Sequence, residues 1–198
     1  MSGAVPAVAA VDWGTTRLRI WLLAGDATVL AERRSDEGMA SAATEGFGAI
    51  LERHLAAMAA PADLPAIVCG MAGARQGWIE APYVACPAHM DDILSGAVAV
   101  PGAARPVRIV PGVAQHGDGP PDVMRGEETQ LAGIAPRIAH GVHSVCIPGT
   151  HSKWIHAASG AVERFATFLT GELYALLSTA SILRHSVGDG AASASNPA

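Results

Sequence analysis

Val8-Ala-Ala-Val-Asp12-Trp-Gly14-Thr15-Thr16-Arg-Leu-Arg-Ile-Trp-Leu-Leu-Ala24 reads as two strands joined by a tight turn. Apolar residues fill the first run, and Arg17 to Leu23 alternates polar and apolar before the chain turns at Gly25-Asp26. Gly14, Thr15 and Thr16 at the end of a buried strand present backbone N–H groups and two hydroxyls, which suit a phosphate. Asp12 beside them suits a magnesium ion. The same residues would also make an ordinary hairpin whose threonines bond their own backbone.

The remaining composition narrows the class. Half of the 198 residues are hydrophobic but only 5% are aromatic, and there are 22 glycines. Such a chain favours close-packed helices and tight strand–loop junctions, an α/β protein with a sizeable core. Net charge is −5 and Lys153 is the only lysine, so no basic stripe is available for a nucleic acid. Met1 to Val11 is apolar but lacks a basic leader, and Asp12 interrupts it before it could span a membrane, so the reading is cytoplasmic with no membrane partner. Cys69, Cys86 and Cys146 show neither metal nor redox spacing and are expected to be buried free thiols. His140, His143, Cys146, His151 and His156 do not fit a zinc site, because strand alternation scatters them over two faces.

Along the chain, Thr28 to Arg34 is expected as a third strand and Ser35 to Met39 as a loop. Thr44 is a candidate N-cap for a helix placing Phe47, Leu51, Leu55 and Met58 on one face, ending before Pro61. Ala66 to Gly70 is a short strand running into the loop Met71 to Trp78, and strand carboxyl ends are where ligands bind in open α/β sheets. Tyr83 to Cys86 and Arg105 to Val110 are further strands. Gly126-Glu127-Glu128 opens a helix. At His140-Gly141 the pattern of the N-terminus begins again: strand, Gly149-Thr150 turn, strand, a third strand over Val162 to Phe168 and a helix over Glu172 to Leu183. The organisation expected is a first domain over 1–141, the start of a second over 142–187, and a disordered tail over 188–198.

Two Gly-Thr hairpins, one opening each domain, can approach a polyphosphate from opposite sides. Phosphoryl transfer then needs a carboxylate to receive the acceptor's proton. Glu127 and Glu128 offer one; equally, they could simply stabilise a helix N-terminus, worth roughly 0.3–1 kcal/mol. Lys153 could reach a phosphate, but it reads more simply as a solvated strand residue.

Asp12-Trp-Gly-Thr-Thr16, Cys69-Gly-Met-Ala-Gly-Ala-Arg-Gln-Gly-Trp78, Met124-Arg-Gly-Glu-Glu-Thr-Gln130, Pro148-Gly-Thr-His-Ser-Lys-Trp154 and Arg164-Phe-Ala-Thr-Phe-Leu-Thr-Gly-Glu-Leu173 together resemble the 2-dehydro-3-deoxygalactonokinase family. The resemblance implies an actin-like ATPase (ribonuclease H-like) fold with its first domain complete and its second partial. It implies ATP- and Mg2+-dependent phosphorylation of the 6-hydroxyl of 2-dehydro-3-deoxy-D-galactonate, in galactonate breakdown. Asp12, Gly14, Thr15 and Thr16 match the first phosphate motif, and Gly149 and Thr150 the second, with His151 as a helper. Glu127 takes the place of the catalytic base, Glu128 being the reserve.

Arg75, Gln76 and Trp78 fall where related sugar kinases bind substrate; Arg75 could pair with the sugar-acid carboxylate and Trp78 pack on the carbon chain, or they could be a surface charge and a core residue. Arg125 is a second candidate for a carboxylate or phosphate. Members of the family are substantially longer, the part lacking here holds the adenine pocket, and the tail after Arg184 leaves the family pattern. The alternative is therefore a catalytically silent fragment that keeps a phosphate or sugar site, with self-association expected from exposed apolar surface on the last helix.

Overall fold

The computed structural model describes residues 4–117 and 120–185; the tail expected to be disordered lies outside the described residues. β1 (Val8–Trp13), β2 (Leu18–Leu23) and β3 (Val29–Ser35) form an antiparallel meander. Strict alternation along β1 and β2 buries Val11, Trp13, Leu18 and Ile20 on one face. Two helices follow, α1 (Met39–Glu45) and α2 (Phe47–Ala57). Thr44 lies inside α1 and caps nothing, which corrects the expectation. Gly46, at φ +91°, ends the first helix and opens the second, a backbone conformation glycine adopts without strain. Phe47, Ile50, Leu51 and Leu55 of α2 are buried against the sheet.

β4 (Ala66–Gly70) pairs in parallel with β1. Then come β5 (Val84–Ala85), β6 (Ala88–His89), α3 (Met90–Ser95), β7 (Val98–Ala99) and β8 (Val107–Ile109). The six-stranded sheet has the order β3-β2-β1-β4-β8-β7, with β1, β4 and β8 parallel to one another. A meander followed by parallel strands added beside its first strand is the topology of the ribonuclease H-like, actin-like ATPase fold. Arg105 clips α2 to this sheet: its buried guanidinium makes two bonds to Glu52, at 2.7 and 2.6 Å, and donates to the carbonyls of Pro61 and Leu64.

β9 (Val113–Gln115) and β10 (Asp122–Met124) are antiparallel, and β5 joins β9 in a small second sheet. α4 (Glu127–Gly133) and α5 (Ala135–Ile138) meet at a break just before Pro136. The meander then recurs as β11 (Val142–Ile147), β12 (Ser152–Ala158) and β13 (Ala161–Phe168), with β6 paired to β13. α6 (Gly171–Ala180) follows, none of its residues buried, and Leu173, Tyr174 and Leu176 are exposed. No helix among the described residues is long and apolar enough to cross a membrane.

Two further expectations are corrected. Cys69 is buried, but Cys86 is half-buried and Cys146 exposed, because β11 is an edge strand with no neighbour beyond it among the described residues. Lys153 is buried rather than solvated. Its ammonium donates to the Val123 carbonyl and Thr167 Oγ1, each at 2.6 Å, and lies 3.8 Å from Asp122, which itself accepts from Thr167. β10 thus supplies the carbonyl and carboxylate that make burial of the cation tolerable. Lys153→Met is expected to cost about 2 kcal/mol, read as a lower urea midpoint with an unchanged slope.

Candidate functional site

Both Gly-Thr turns open on one cleft of about 370 Å³. From the first meander it is lined by Asp12, Trp13, Gly14 and Thr15, and from the second by Ile147, Pro148, Gly149, Thr150 and His151. Gly70 and Met71 at the carboxyl end of β4 form part of its floor, and Arg125, Gly126, Glu127 and Gln130 close its side. Residues far apart in sequence meet here because the ends of β1, β4 and β11 and the start of α4 converge.

Asp12 is the last but one residue of β1 and its side chain is one-third exposed. Arg19 stands 3.4 Å away on β2. Burial pushes the Asp12 carboxyl above its ordinary value and outweighs the opposing pull of Arg19. A carboxylate in this state gains from a further cation. The first turn is closed by Gly14 N–H donating to the Arg17 carbonyl at 2.8 Å. Thr16 belongs to this turn without lining the cleft.

Gly126, at φ +113°, swings the chain into α4, and the two acidic residues that follow part company. Glu127 lines the cleft, with one carboxylate oxygen accepting the Arg125 N–H at 3.0 Å. Glu128 is wholly buried beneath it, both of its oxygens accepting the Gly126 N–H at 2.9 and 2.7 Å, with Thr129 Oγ1 donating to one of them. Burial raises the Glu128 carboxyl to about 7. The same burial, with Asp12 and Glu128 nearby, drives the neighbouring Cys69 thiol far above its ordinary value, so it stays protonated.

His151 Nε2 lies 2.6 Å from a carboxylate oxygen of Glu172 on α6, so the second turn carries an oriented imidazole. The Arg125 guanidinium sits 4.2 Å over the Tyr83 ring and donates to the Ala81 carbonyl at 2.9 Å. Its Nε and Nη1 are buried without a hydrogen-bond partner among the described residues. Gly73 packs directly on Nη1, where a Cβ would come within 2.7 Å.

Arg75, Gln76 and Trp78 do not line this cleft. Arg75 is exposed and faces Glu80 at 3.7 Å. Trp78 stacks on Phe47 with ring centroids 6.0 Å apart and meets Trp13 edge-on, so it packs against the first core. Sequence reasoning passed over Gly70, Met71 and Gln130 as lining residues. The rule that ligands gather at strand carboxyl ends points to the loop that Gly70 and Met71 open, but side-chain type favours Arg75, Gln76 and Trp78 farther along it. Glu172 reads from the sequence only as a helix start, yet it is the carboxylate that orients the second turn's imidazole.

The chain matches the sequence model of 2-keto-3-deoxy-galactonokinase over residues 12–197. It belongs to that family. A relative from Rhizobium meliloti (strain 1021), named "Probable 2-dehydro-3-deoxygalactonokinase DgoK1", is 55% identical over 181 residues, which cover 91% of this chain and 59% of the relative. The Escherichia coli (strain K12) 2-dehydro-3-deoxygalactonokinase is 35% identical over 174 residues, 88% of this chain and 57% of its own. The crystal structure of a Sinorhizobium meliloti protein of the 2-keto-3-deoxy-galactonokinase family superposes with a TM-score of 0.84 at 56% identity, covering 91% of this chain and 60% of that one. The chain thus spans about three-fifths of the length of these family members.

Proposed function

We propose that this site carries out ATP-dependent phosphorylation of 2-dehydro-3-deoxy-D-galactonate at its 6-hydroxyl, a step of galactonate breakdown. The observation that carries the reading is the meeting of both Gly-Thr turns, Asp12 and Glu127 in one cleft. The turns hold the nucleotide's phosphates by backbone N–H groups and by the Thr15 and Thr150 hydroxyls, with the His151 imidazole oriented by Glu172. Glu127 accepts the proton of the acceptor hydroxyl as its oxygen bonds to the γ-phosphorus and ADP departs.

Asp12 fits Mg2+, which needs only one or two protein carboxylates beside substrate phosphates, and the desolvated state of its carboxyl supports that role. When bound, Mg2+ would neutralise charge developing on the phosphate oxygens. Arg125 supports an anionic acceptor. Its guanidinium carries a permanent positive charge at the wall of the cleft, and a sugar-acid carboxylate is an anion of the kind it pairs with.

The test is turnover of 2-dehydro-3-deoxygalactonate with ATP by this chain, alongside the chain extended by the remaining part of the Rhizobium meliloti relative. ADP release matched by formation of the 6-phosphate in either protein supports the proposal; none in both overturns it.

A further inference from the structure

The two phosphate turns are backed in the same way, and by the same residue type. Gly38 precedes α1 and Gly171 begins α6, so each stands where the chain leaves the third strand of a meander and enters a helix. At the first turn, the N–H of Met39 donates to the Gly14 carbonyl at 3.0 Å. A Cβ on Gly38 would lie 2.3 Å from the Thr15 carbonyl oxygen and 2.5 Å from the carbonyl carbons of Thr15 and Thr16. At the second turn, the N–H groups of Gly171 and Glu172 donate to the carbonyls of Gly149 and Thr150 at 3.2 and 3.1 Å. A Cβ on Gly171 would lie 2.6 Å from the Gly149 carbonyl oxygen and 3.1 Å from Thr150 Cα.

The usual reason for glycine does not apply at either position. Gly38 has φ −73°, which any residue adopts, and Gly171 lies outside the left-handed region as well. What both positions need is space, because the atoms in the way are backbone atoms of a phosphate turn and cannot swing aside like a side chain. Gly38 and Gly171 therefore have one job in two halves of the molecule.

We infer that Gly38 and Gly171 are matched positioning residues, each letting a helix entry press against a phosphate turn and hold its N–H groups in shape for a polyphosphate. This rests on the proposed role of the turns. Neither glycine touches the ligand; each acts through the turn it supports. Restoring an ordinary contact would push the turn by up to about 1 Å, a displacement that can cost on the order of a hundredfold where geometry is demanding.

Inorganic tripolyphosphate with Mg2+ is the probe, titrated calorimetrically into the wild type, Gly38→Ala, Gly171→Ala and the control Gly25→Ala, whose added methyl would meet nothing within 4 Å. Both turn variants should lose at least tenfold in affinity while keeping affinity for the sugar acid, and Gly25→Ala should bind as wild type. Amide hydrogen exchange should rise at 15–17 alone in Gly38→Ala and at 149–151 alone in Gly171→Ala. Should either alanine variant fail to fold, the other decides the inference at its own turn. Wild-type exchange and affinity in the folded variants would overturn the inference. A wild type that binds no tripolyphosphate would instead overturn the phosphate reading of the turns, and the exchange pattern would still decide whether the glycines hold them.

Discussion

Glu127→Gln is expected to keep nucleotide affinity and lose phosphoryl transfer by about 10²- to 10⁴-fold, the usual worth of a positioned general base. Glutamine retains the length and the carbonyl oxygen that accepts the Arg125 N–H, so the entry to α4 stays as it is. It cannot take a proton from the acceptor hydroxyl. The measurement is kcat for 2-dehydro-3-deoxygalactonate beside KM for ATP, in whichever form of the chain turns over. A fall in kcat with an unmoved ATP KM supports the assignment; an undiminished kcat removes Glu127 from the mechanism. Glu127→Asp probes reach, since the shorter carboxylate keeps basicity but retreats by a methylene.

The choice between Glu127 and Glu128 shows where sequence stops. Adjacent residues at a helix start present neighbouring side chains, and both glutamates are acidic, so type and spacing give them equal standing. Their roles separate only through Gly126. Its positive φ turns the chain so that one carboxylate faces the cleft while the other folds under and bonds back to the Gly126 N–H. The first meander and its turn were legible because alternation and Gly-Thr-Thr are local signals, and Ala66–Gly70 was found with its observed bounds. The two- and three-residue strands β6, β7, β9 and β10 were not, being too short to show a period. Lys153 reads as solvated from the sequence because its partners Val123 and Asp122 lie on a strand of that kind.

The internal repeat was legible as an order of elements, and the structure gives it physical content. β1–β2–β3 and β11–β12–β13 are antiparallel meanders with a turn between the first two strands and a helix after the third. What the sequence concealed is that each helix start returns to touch its own turn. Gly38 and Gly171 share no flanking motif, so only the fold aligns them.

Stability should fall as pH rises from about 5 to 8, and Glu128 should be a main cause. Its carboxyl has an ordinary value of 4.5 and is raised to about 7 in the folded protein, first by burial and secondarily by Glu127, against the pull of its backbone and Thr129 hydrogen bonds. The folded state therefore holds this proton more tightly than the unfolded chain. The stabilisation is complete below the unfolded value and is lost as pH climbs through the folded one, about 3 kcal/mol in all. Asp12 is raised too and acts in the same direction, so Asp12→Asn is the companion variant. Glu37 and Glu52 are lowered, by hydrogen bonds from Ser35 and Arg105 respectively; their contributions are present above the ordinary carboxylate range and lost below it, outside this window. Urea midpoints at pH 5 and 8 measure the effect. Glu128→Gln keeps an acceptor for the Gly126 N–H but carries no charge, so its midpoint should change much less between the two pH values than that of the wild type. A wild-type midpoint that does not move would mean that the buried carboxyl ionises without penalty, and that water or a cation reaches it beneath the cleft.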